Sequence, residues 1–509
     1  MRNESKYYLF LSLVYFAVSL VGILHHELWL DEAHHWLLAR DSNSLSELIQ
    51  NTHIEGHPLL WSFLLYGITR FTADPFWMQF LHILISSSAV FIFLRKAPFD
   101  WIFKTLFIFG YFMIFEYNLI SRNYSLGILF LFLACTVFNN RDQKFTLLCL
   151  YLAIASNTHL MFSVIAFALF LTLIFEHIKN RQFFKSKFIT GYLLFGLGLF
   201  LIYIQIHSTD SRWLMDPINK LPFQERIVKG FVSFFKGIVT IPDFRTIHFW
   251  NSNLLVNLSK PIAGVFALLI YFLPLLLFFK NRKTLFFVYT GLIGTQVFFF
   301  VTQREATRFH GMTYLIIIVA LWIEHYYDSE ENKLKVFLSS AKLKFLRKPI
   351  IYSILIIQLC SGIYAYSVDY EFPFTTAKET ISYIKKENAN KIEIITVTCD
   401  GTMLSAYLEK KIYFLCDGSL QSFCHWDSGC IGNVTQKESV AMLTNYMNSR
   451  NNNVLFVSSY ALIKDTNVKD WVNLNEKTKV RFVKKFDDNI VFKTSCYIFE
   501  VSKITTDAQ

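Results

Sequence analysis

Charge is what this 509-residue chain has least of: Asp, Glu, Lys and Arg make up 17% of it, against roughly 25% in an average soluble domain. With 53% apolar residues and a mean hydropathy of +0.37, that scarcity excludes a water-soluble enzyme and, more firmly, a disordered chain. A phosphate-cradling Gly-x-x-x-x-Gly-Lys-Ser/Thr loop is missing too. The string Asp31-Glu32-Ala33-His34, which spells the nucleotide-hydrolysis box of a helicase family, therefore has no upstream partner, and that reading falls. Internal repeats, low-complexity tracts and a cleavable signal peptide are not found, the first apolar stretch being long enough to stay as a span. What is abundant is aromatic and apolar: 17% Phe, Trp and Tyr, with 54 Phe alone. These residues fall in runs of about 18 or more, each long enough to cross a hydrocarbon core of about 30 Å. The expectation is a mostly α, polytopic membrane protein.

Eleven spans are expected, at 7–25, 76–94, 101–119, 123–139, 145–158, 160–177, 188–206, 261–279, 284–301, 312–327 and 350–368. The apolar stretch around Asn157-Thr158-His159 is split there because one helix would be far too long. Lys and Arg set the orientation. With the N-terminus inside, the inner side receives Arg2 and Lys6, then Arg95, Lys96 and Lys104, then Arg141 and Lys144. Lys179 to Lys187, Lys280 to Lys283 and a run from Lys333 to Lys348 follow on the same side. Outer connections hold only the isolated Arg40, Arg70, Arg122, Arg304 and Arg308, as the positive-inside rule requires. The formal charge of +11 is thus a topology signal and not a nucleic-acid footprint; no nucleic-acid partner is expected. Pro58 to Phe71 is apolar, but about 15 helical residues rise only about 22 Å, so this segment is expected to lie on the outer surface.

Three outer regions are large enough for chemistry: a first loop at 25–75, a second at 207–260 containing Trp213, Asp216-Pro217, Pro222, Arg226 and Pro242-Asp243, and everything after about Asp369. In the last, the strings Ile392–Thr398, Lys411–Leu415 and Asn453–Ser458 alternate with helical stretches near 376–388 and 436–449, which reads as a small α/β domain. The expected organisation is a transmembrane catalytic domain at 1–368 and an extracytoplasmic α/β domain at 369–509. Cys135, Cys149 and Cys360 read as small apolar residues of spans. Cys399, Cys416, Cys424, Cys430 and Cys496 fall in the terminal domain. Clustering of Cys416, Cys424 and Cys430 fits disulfides in an oxidising compartment. A zinc site from those three and His425 is the alternative, without the usual paired spacing. The odd count leaves one thiol free or paired elsewhere.

The segment with most chemistry is Glu27-Leu-Trp-Leu-Asp-Glu-Ala-His-His-Trp-Leu-Leu-Ala-Arg40, just beyond the first span. Asp31 shares a helix face with His34 and His35, and acidic residues beside a membrane are either solvated or functional. By itself the segment reads equally well as a wet juxtamembrane helix anchored by Trp29 and Trp36. It is followed by Glu55-Gly-His-Pro-Leu-Leu-Trp61, and the acidic pair, spacer and Gly-His-Pro together resemble the GT-C membrane glycosyltransferases. The nearest branch is the bacterial one related to protein O-mannosyltransferases and the lipid A aminoarabinose transferase. Ile120-Ser-Arg-Asn-Tyr-Ser-Leu126, Asn157-Thr-His-Leu160 and Arg304-Glu-Ala-Thr-Arg-Phe309 are similar, in order, to further motifs of that family. All lie on the outer side of the topology drawn above. The chain departs from the family at Leu59, where a second Pro is common, and at Asn123, where a small or acidic residue is.

The resemblance implies a GT-C fold and an inverting transfer of a sugar from a polyprenyl-phosphate donor to a glycan, lipid or protein acceptor at the outer face of the membrane. It implies Asp31 as the base that takes the acceptor proton, with Glu32 assisting, orienting the acceptor or binding a divalent ion. Arg122 and Arg308 would hold the departing phosphate, a planar guanidinium fork suiting phosphate better than a point charge, with Tyr124 beside them. Glu55, His57 and His159 would shape the acceptor side or a metal site, the metal candidates being Asp31, Glu32 and His57. The cofactor candidate is a divalent metal ion, which some members of that family use. Simpler roles stand beside these: Arg122 as a snorkelling anchor, Tyr124 as an interface aromatic, His159 as a packing residue, and His57-Pro58 as a turn. The expected location is a bacterial inner membrane, N-terminus cytoplasmic and terminal domain periplasmic, among membrane lipids. The alternatives are a lipid-linked sugar flippase or transporter, which would carry mid-membrane charges and two related halves, and an O-antigen polymerase or ligase.

Overall fold

The computed structural model describes residues 2–53, 55–207, 222–304, 306–328, 345–387, 392–425, 434–450, 452–463 and 470–504. Cys430, Trp213, Asp216-Pro217 and most of the basic run after Lys333 lie outside them. The chain divides into two compact units that do not follow chain order. One comprises 1–22, 55–61 and 80–368; the other comprises 23–54, 62–79 and 369–509.

The first unit is helical. Among the described residues, seven helical segments are long and apolar enough to cross a membrane: α1 (Arg2–His25), α5 (Phe76–Lys96), α9 (Leu160–Lys179), α10 (Ser186–His207), α13–α14 (Lys260–Tyr271 and Leu273–Phe278), α15 (Arg282–Thr302) and α17 (Arg347–Glu371). The protein is a multi-pass membrane protein. Four of the eleven expected spans take other forms. The segment expected to span 123–139 is α7 (Tyr124–Val137) with a 3-10 turn to Asn140. The one at 145–158 is the twelve-residue α8 (Phe145–Ser156), and the one at 312–327 lies in α16 (Thr307–Glu324).

The fourth, 101–119, is broken: α6 (Trp101–Ile108) ends, and a π-helical turn runs from Phe112 to Glu116. The cause is a buried polar run, Glu116, Asn118, Ser121 and Arg122, whose side chains need partners that a continuous lipid-facing helix does not supply. Asn118 finds three, donating to Ser19 Oγ at 2.8 Å and Ile114 O at 3.2 Å and accepting from Ser86 Oγ at 2.8 Å, while Tyr15 and Ser86 hydroxyls lie 2.9 Å apart. These bonds join α1, α5 and the broken segment as interhelical glue. At the opposite end of the bundle Glu176 accepts from Arg141 Nε and Nη2 at 2.9 and 2.7 Å and from Lys283 Nζ at 2.9 Å, tying α9 to the α7–α8 turn and to α15. Helix α8 packs on α7, α9 and α10, and α15 on α9 and α16.

The second unit holds a seven-stranded mixed sheet of order β3-β2-β1-β4-β7-β6-β5. The strands are β1 (Glu393–Thr396), β2 (Ile412–Phe414), β3 (Ser419–Gln421), β4 (Val454–Ser458), β5 (Val472–Asn473), β6 (Thr478–Phe486) and β7 (Cys496–Lys503). Only β2, β1 and β4 run parallel. Every residue of β4, Val-Leu-Phe-Val-Ser, is buried, as a central strand covered on both faces demands. Ile395, Leu443, Phe456, Val480 and Phe499 form its core. Helix α20 (Gln436–Asn448) starts at a capping box in which Thr435 Oγ1 accepts from Glu438 N–H and the Glu438 carboxylate accepts from Thr435 N–H. Helix α18 (Ala377–Lys386) and α19 (Gly401–Leu408) pack together, and α19 also meets β2. Three strands and two helices of this domain match the sequence reading; α19, β3 and the β5–β6–β7 meander were not anticipated.

Cys399 and Cys424 form a disulfide with Cα atoms 5.1 Å apart, and Cys416 is disulfide-bonded as well. The zinc alternative is thereby corrected: Cys416 and Cys424 have no thiolate left to give a metal. The expected grouping of Cys416, Cys424 and Cys430 also needs amending, since Cys399, from the end of β1, is Cys424's partner. Among the described residues of the domain, Cys496 is a buried free thiol.

The same unit includes α2 (Leu30–Asp41) and α3 (Leu45–Asn51) from the first loop. Helix α2 packs on α19, Leu28 N–H donates to Tyr407 Oη at 2.7 Å, and Thr375 Oγ1 donates to Leu28 O at 3.0 Å. Leu30 packs against the Cys399–Cys424 bridge.

Candidate functional site

In the first unit, five expected site residues converge at one end of the helices, the end at which α7, α9 and α16 begin. His159 is the N-cap of α9: its Nδ1 accepts from Met161 N–H at 3.1 Å, which in the neutral ring leaves the proton on Nε2. That nitrogen lies 3.4 Å from the Tyr124 hydroxyl, and the two ring centroids are 4.9 Å apart. The His57 ring lies 4.9 Å from His159 on another side, and Phe309 5.7 Å away. Burial pushes the His159 imidazole well below its usual pKa, and the positive charges of Arg122 and Arg308 push it the same way. His159 is thus a buried, neutral ring that lies within the electrostatic reach of two guanidinium groups, Arg122 and Arg308.

Local sequence explains how each group is held. Asn123 Nδ2 donates to Thr158 O at 2.6 Å, pinning the start of α7 to the turn that carries His159. Arg122, buried, immediately precedes that tether. Arg308 sits in the first turn of α16; its backbone carbonyl accepts from Tyr117 Oη at 2.6 Å, and its guanidinium carbon lies 4.9 Å from the Phe309 ring centre and 6.0 Å from that of Trp250. Thr307 N–H donates to Asn251 Oδ1 at 2.8 Å, which fixes the start of α16. Gly56 has φ +64°, a left-handed conformation that strains any residue with a Cβ, and Leu59 N–H donates to Gln205 Oε1 at 2.8 Å. Together they set the turn that presents His57. Glu55 is buried in the same unit.

Sequence reasoning missed a supporting layer. Glu116 Oε2 accepts from Tyr111 Oη and from Trp250 Nε1, both at 3.1 Å, and Tyr117 stacks 5.4 Å from Tyr124. An acidic residue inside an apparent span was the available signal, because burial of such a group demands partners. Trp250, 134 residues further on, had none.

Asp31 and Glu32 belong to the second unit, in the first turn of α2. Asp31 is partly exposed and Glu32 fully buried. Glu32 Oε2 accepts from Trp29 N–H at 3.1 Å, closing the first turn of the helix, and lies 3.4 Å from His26 Nε2. His26 Nδ1 is 2.8 Å from Asp369 Oδ2. Burial would discharge His26, but the carboxylates of Asp369 and Glu32 outweigh it and raise the imidazole to about 10. Burial likewise raises the neighbouring Glu27 to about 8, although Lys378 N–H donates to it at 3.1 Å. His26, Glu27 and Asp369 were not anticipated as a group, since the pair His26 and Asp369 is 343 residues apart in sequence. His34 and His35 are buried on α2, and the His34 ring meets Phe423 at 6.0 Å.

Among the described residues no three His, Cys, Asp or Glu side chains are grouped to hold a metal ion. The expected ligand set fits poorly, Glu32 being engaged by the Trp29 amide and lying beside His26.

Fold and site together define a multi-pass membrane protein in which His57, Arg122, Tyr124, His159 and Arg308 gather where helices begin, with a sheet-containing unit that includes the acidic helix α2. No protein-family model matches the chain, and no curated protein does. Among solved structures, ArnT from Cupriavidus metallidurans bound to undecaprenyl phosphate aligns with a TM-score of 0.48 at 9% identity, over 88% of this chain and 92% of that one. The apo form of the same protein aligns with a TM-score of 0.44 at 10% identity, over 87% and 92%.

Proposed function

We propose that the chain is an inverting glycosyltransferase of GT-C type that moves a sugar from a polyprenyl-phosphate donor to a glycan, lipid or protein acceptor at the outer face of a bacterial inner membrane. The observation that supports it most is the pair Arg122 and Arg308 beside the neutral, N-cap His159 and Tyr124. In this reading the phosphate that departs from the anomeric carbon gathers negative charge on its oxygens, and the two guanidinium groups stabilise that charge as it forms. Tyr124 and the Nε2–H of His159 add neutral donors to the same anion. Asp31 accepts the proton of the attacking hydroxyl. Its partial exposure leaves it accessible to an acceptor, whereas Glu32, engaged by the Trp29 amide and near His26, holds the first turn of α2 in place and acts as a positioning residue. Glu55 and His57 border the acceptor.

The test is sugar transfer by purified protein in lipid or detergent, with radiolabelled undecaprenyl-phosphate hexose and pentose donors and crude envelope acceptors. Label should move to acceptor with wild type and not with Arg122→Ala. Movement of donor across liposome bilayers without transfer would establish the transporter reading instead.

A further inference from the structure

A further cation stands on the bundle, distinct from the residues assigned above. Arg226 lies in the first turn of α11 (Phe223–Ile238), which packs on α13, α15 and α16. Its guanidinium carbon lies 4.9 Å over the Phe300 ring. Its Nε is buried with no hydrogen-bond partner, and among the described residues no carboxylate pairs with it. A buried, unsatisfied guanidinium nitrogen is costly, and a ring face offsets only part of that cost.

Arg226 closes one end of a groove of about 290 Å³ whose other walls are Ile227, Phe231, Tyr271, Ile293, Val297 and Phe300, with Gln296 between them. The groove is built, not incidental. Gln296 Nε2 donates to Gly230 O at 2.8 Å, and a Cβ at Gly230 would come within 2.1 Å of Gln296 Oε1, so α11 and α15 meet closely there because Gly230 has no side chain. Ile293 and Val297, on a helix that crosses the membrane, are 59% and 56% exposed, so this wall faces hydrocarbon. Arg226 lies in the first turn of α11 and Phe300 in the last turn of α15, while Ile293 lies about two turns further from that end of α15. Charge at the boundary and an apolar trough below it is the pattern of an amphiphile with an anionic head.

We infer that this groove binds an anionic glycerophospholipid, its phosphate on Arg226 and one acyl chain along Phe231, Tyr271 and Val297. The site goes beyond the transfer reading: it depends on the chain spanning a membrane and uses none of the residues assigned to transfer.

The experiment is native mass spectrometry of the full-length protein, delipidated in detergent and given dioleoyl phosphatidylglycerol, dioleoyl phosphatidylcholine or undecaprenyl phosphate. Wild type should retain phosphatidylglycerol at least about tenfold better than phosphatidylcholine, and Arg226→Gln should reduce that retention about tenfold. Val297→Trp, which fills the trough and leaves the cation, should do the same. If Arg226→Gln does not elute as a folded species, Val297→Trp decides alone. Equal phosphatidylglycerol retention in wild type and Val297→Trp overturns the proposal, as does preferential retention of undecaprenyl phosphate that Arg226→Gln abolishes.

Discussion

His26 and Asp369 meet with 2.8 Å between Nδ1 and Oδ2, one at the start of the first loop and the other at the start of the terminal domain. With Glu32 on the opposite ring nitrogen, the imidazole is a buried cation between two carboxylates, and it fixes the segment that leads into α2 and Asp31. Removing it leaves two buried carboxylates uncompensated, a loss of about 3–5 kcal/mol. His26→Leu should therefore lower the thermal midpoint of the purified protein, and a midpoint equal to wild type would deny the bridge its structural role.

A pH dependence follows from the same groups. His26 is raised from 6.5 to about 10, so its stabilisation is fully present below about 6.5 and is lost as pH rises through about 10. Glu27, raised from 4.5 to about 8, also binds its proton more tightly when folded, so its contribution fades between those values. Both shifts act in one direction. Thermal unfolding should show lower stability at pH 9.5 than at pH 6.5, with the difference reduced in His26→Leu.

Arg122→Ala or Arg308→Ala should each lower transfer about 10²–10³-fold, the usual loss when one donor to a developing anion is removed. Arg122→Lys should recover little, because a point charge does not reproduce the planar fork. Initial rates with saturating donor would measure this, and near-wild-type rates in either alanine variant would remove that arginine from the anion centre.

The Cys399–Cys424 bridge closes a loop with a sequence separation of 25 and packs against Leu30 beside Asp31. Cys399→Ala with Cys424→Ala should cost about 3 kcal/mol, and a reducing agent, which also opens the bridge of Cys416, should lower the midpoint of wild type at least as far as that of the variant. A wild-type midpoint unmoved by reductant would argue against it.

Gly56→Ala places a Cβ on a backbone at φ +64°, which costs about 1–2 kcal/mol, and should displace His57. A reduced transfer rate with little change in the thermal midpoint is the expected signature.

Local signals carried a great deal of this architecture. Apolar length identified the seven long spans, and the strings at 392–398 and 453–458 became the parallel β1 and β4 because runs rich in Ile, Val and Thr suit a pleated, largely buried strand. Arg122, Tyr124, His57, His159 and Arg308 were each visible from a motif, and all five meet at one end of the bundle. Long-range pairings were not legible: His26 with Asp369, Glu116 with Trp250, and Cys399 with Cys424 are decided by tertiary packing, which no window of sequence contains. The β6–β7 pairing was hidden for a different reason. A register shift between Phe482 and Lys484 breaks the alternation of β6, and its lysines mask the apolar face. The broken helix at 101–119 looked like a span because its polar residues gather only after Glu116.

The measurement that tests the central claim most directly is transfer of label from an undecaprenyl-phosphate sugar to envelope acceptor by wild type, Asp31→Asn and Arg122→Ala, each shown to be folded by its thermal midpoint. The account predicts transfer by wild type and its loss in both variants. Equal transfer by wild type and Asp31→Asn would contradict Asp31 as the base, and transport of the lipid across a bilayer with no transfer by wild type would contradict the enzyme itself.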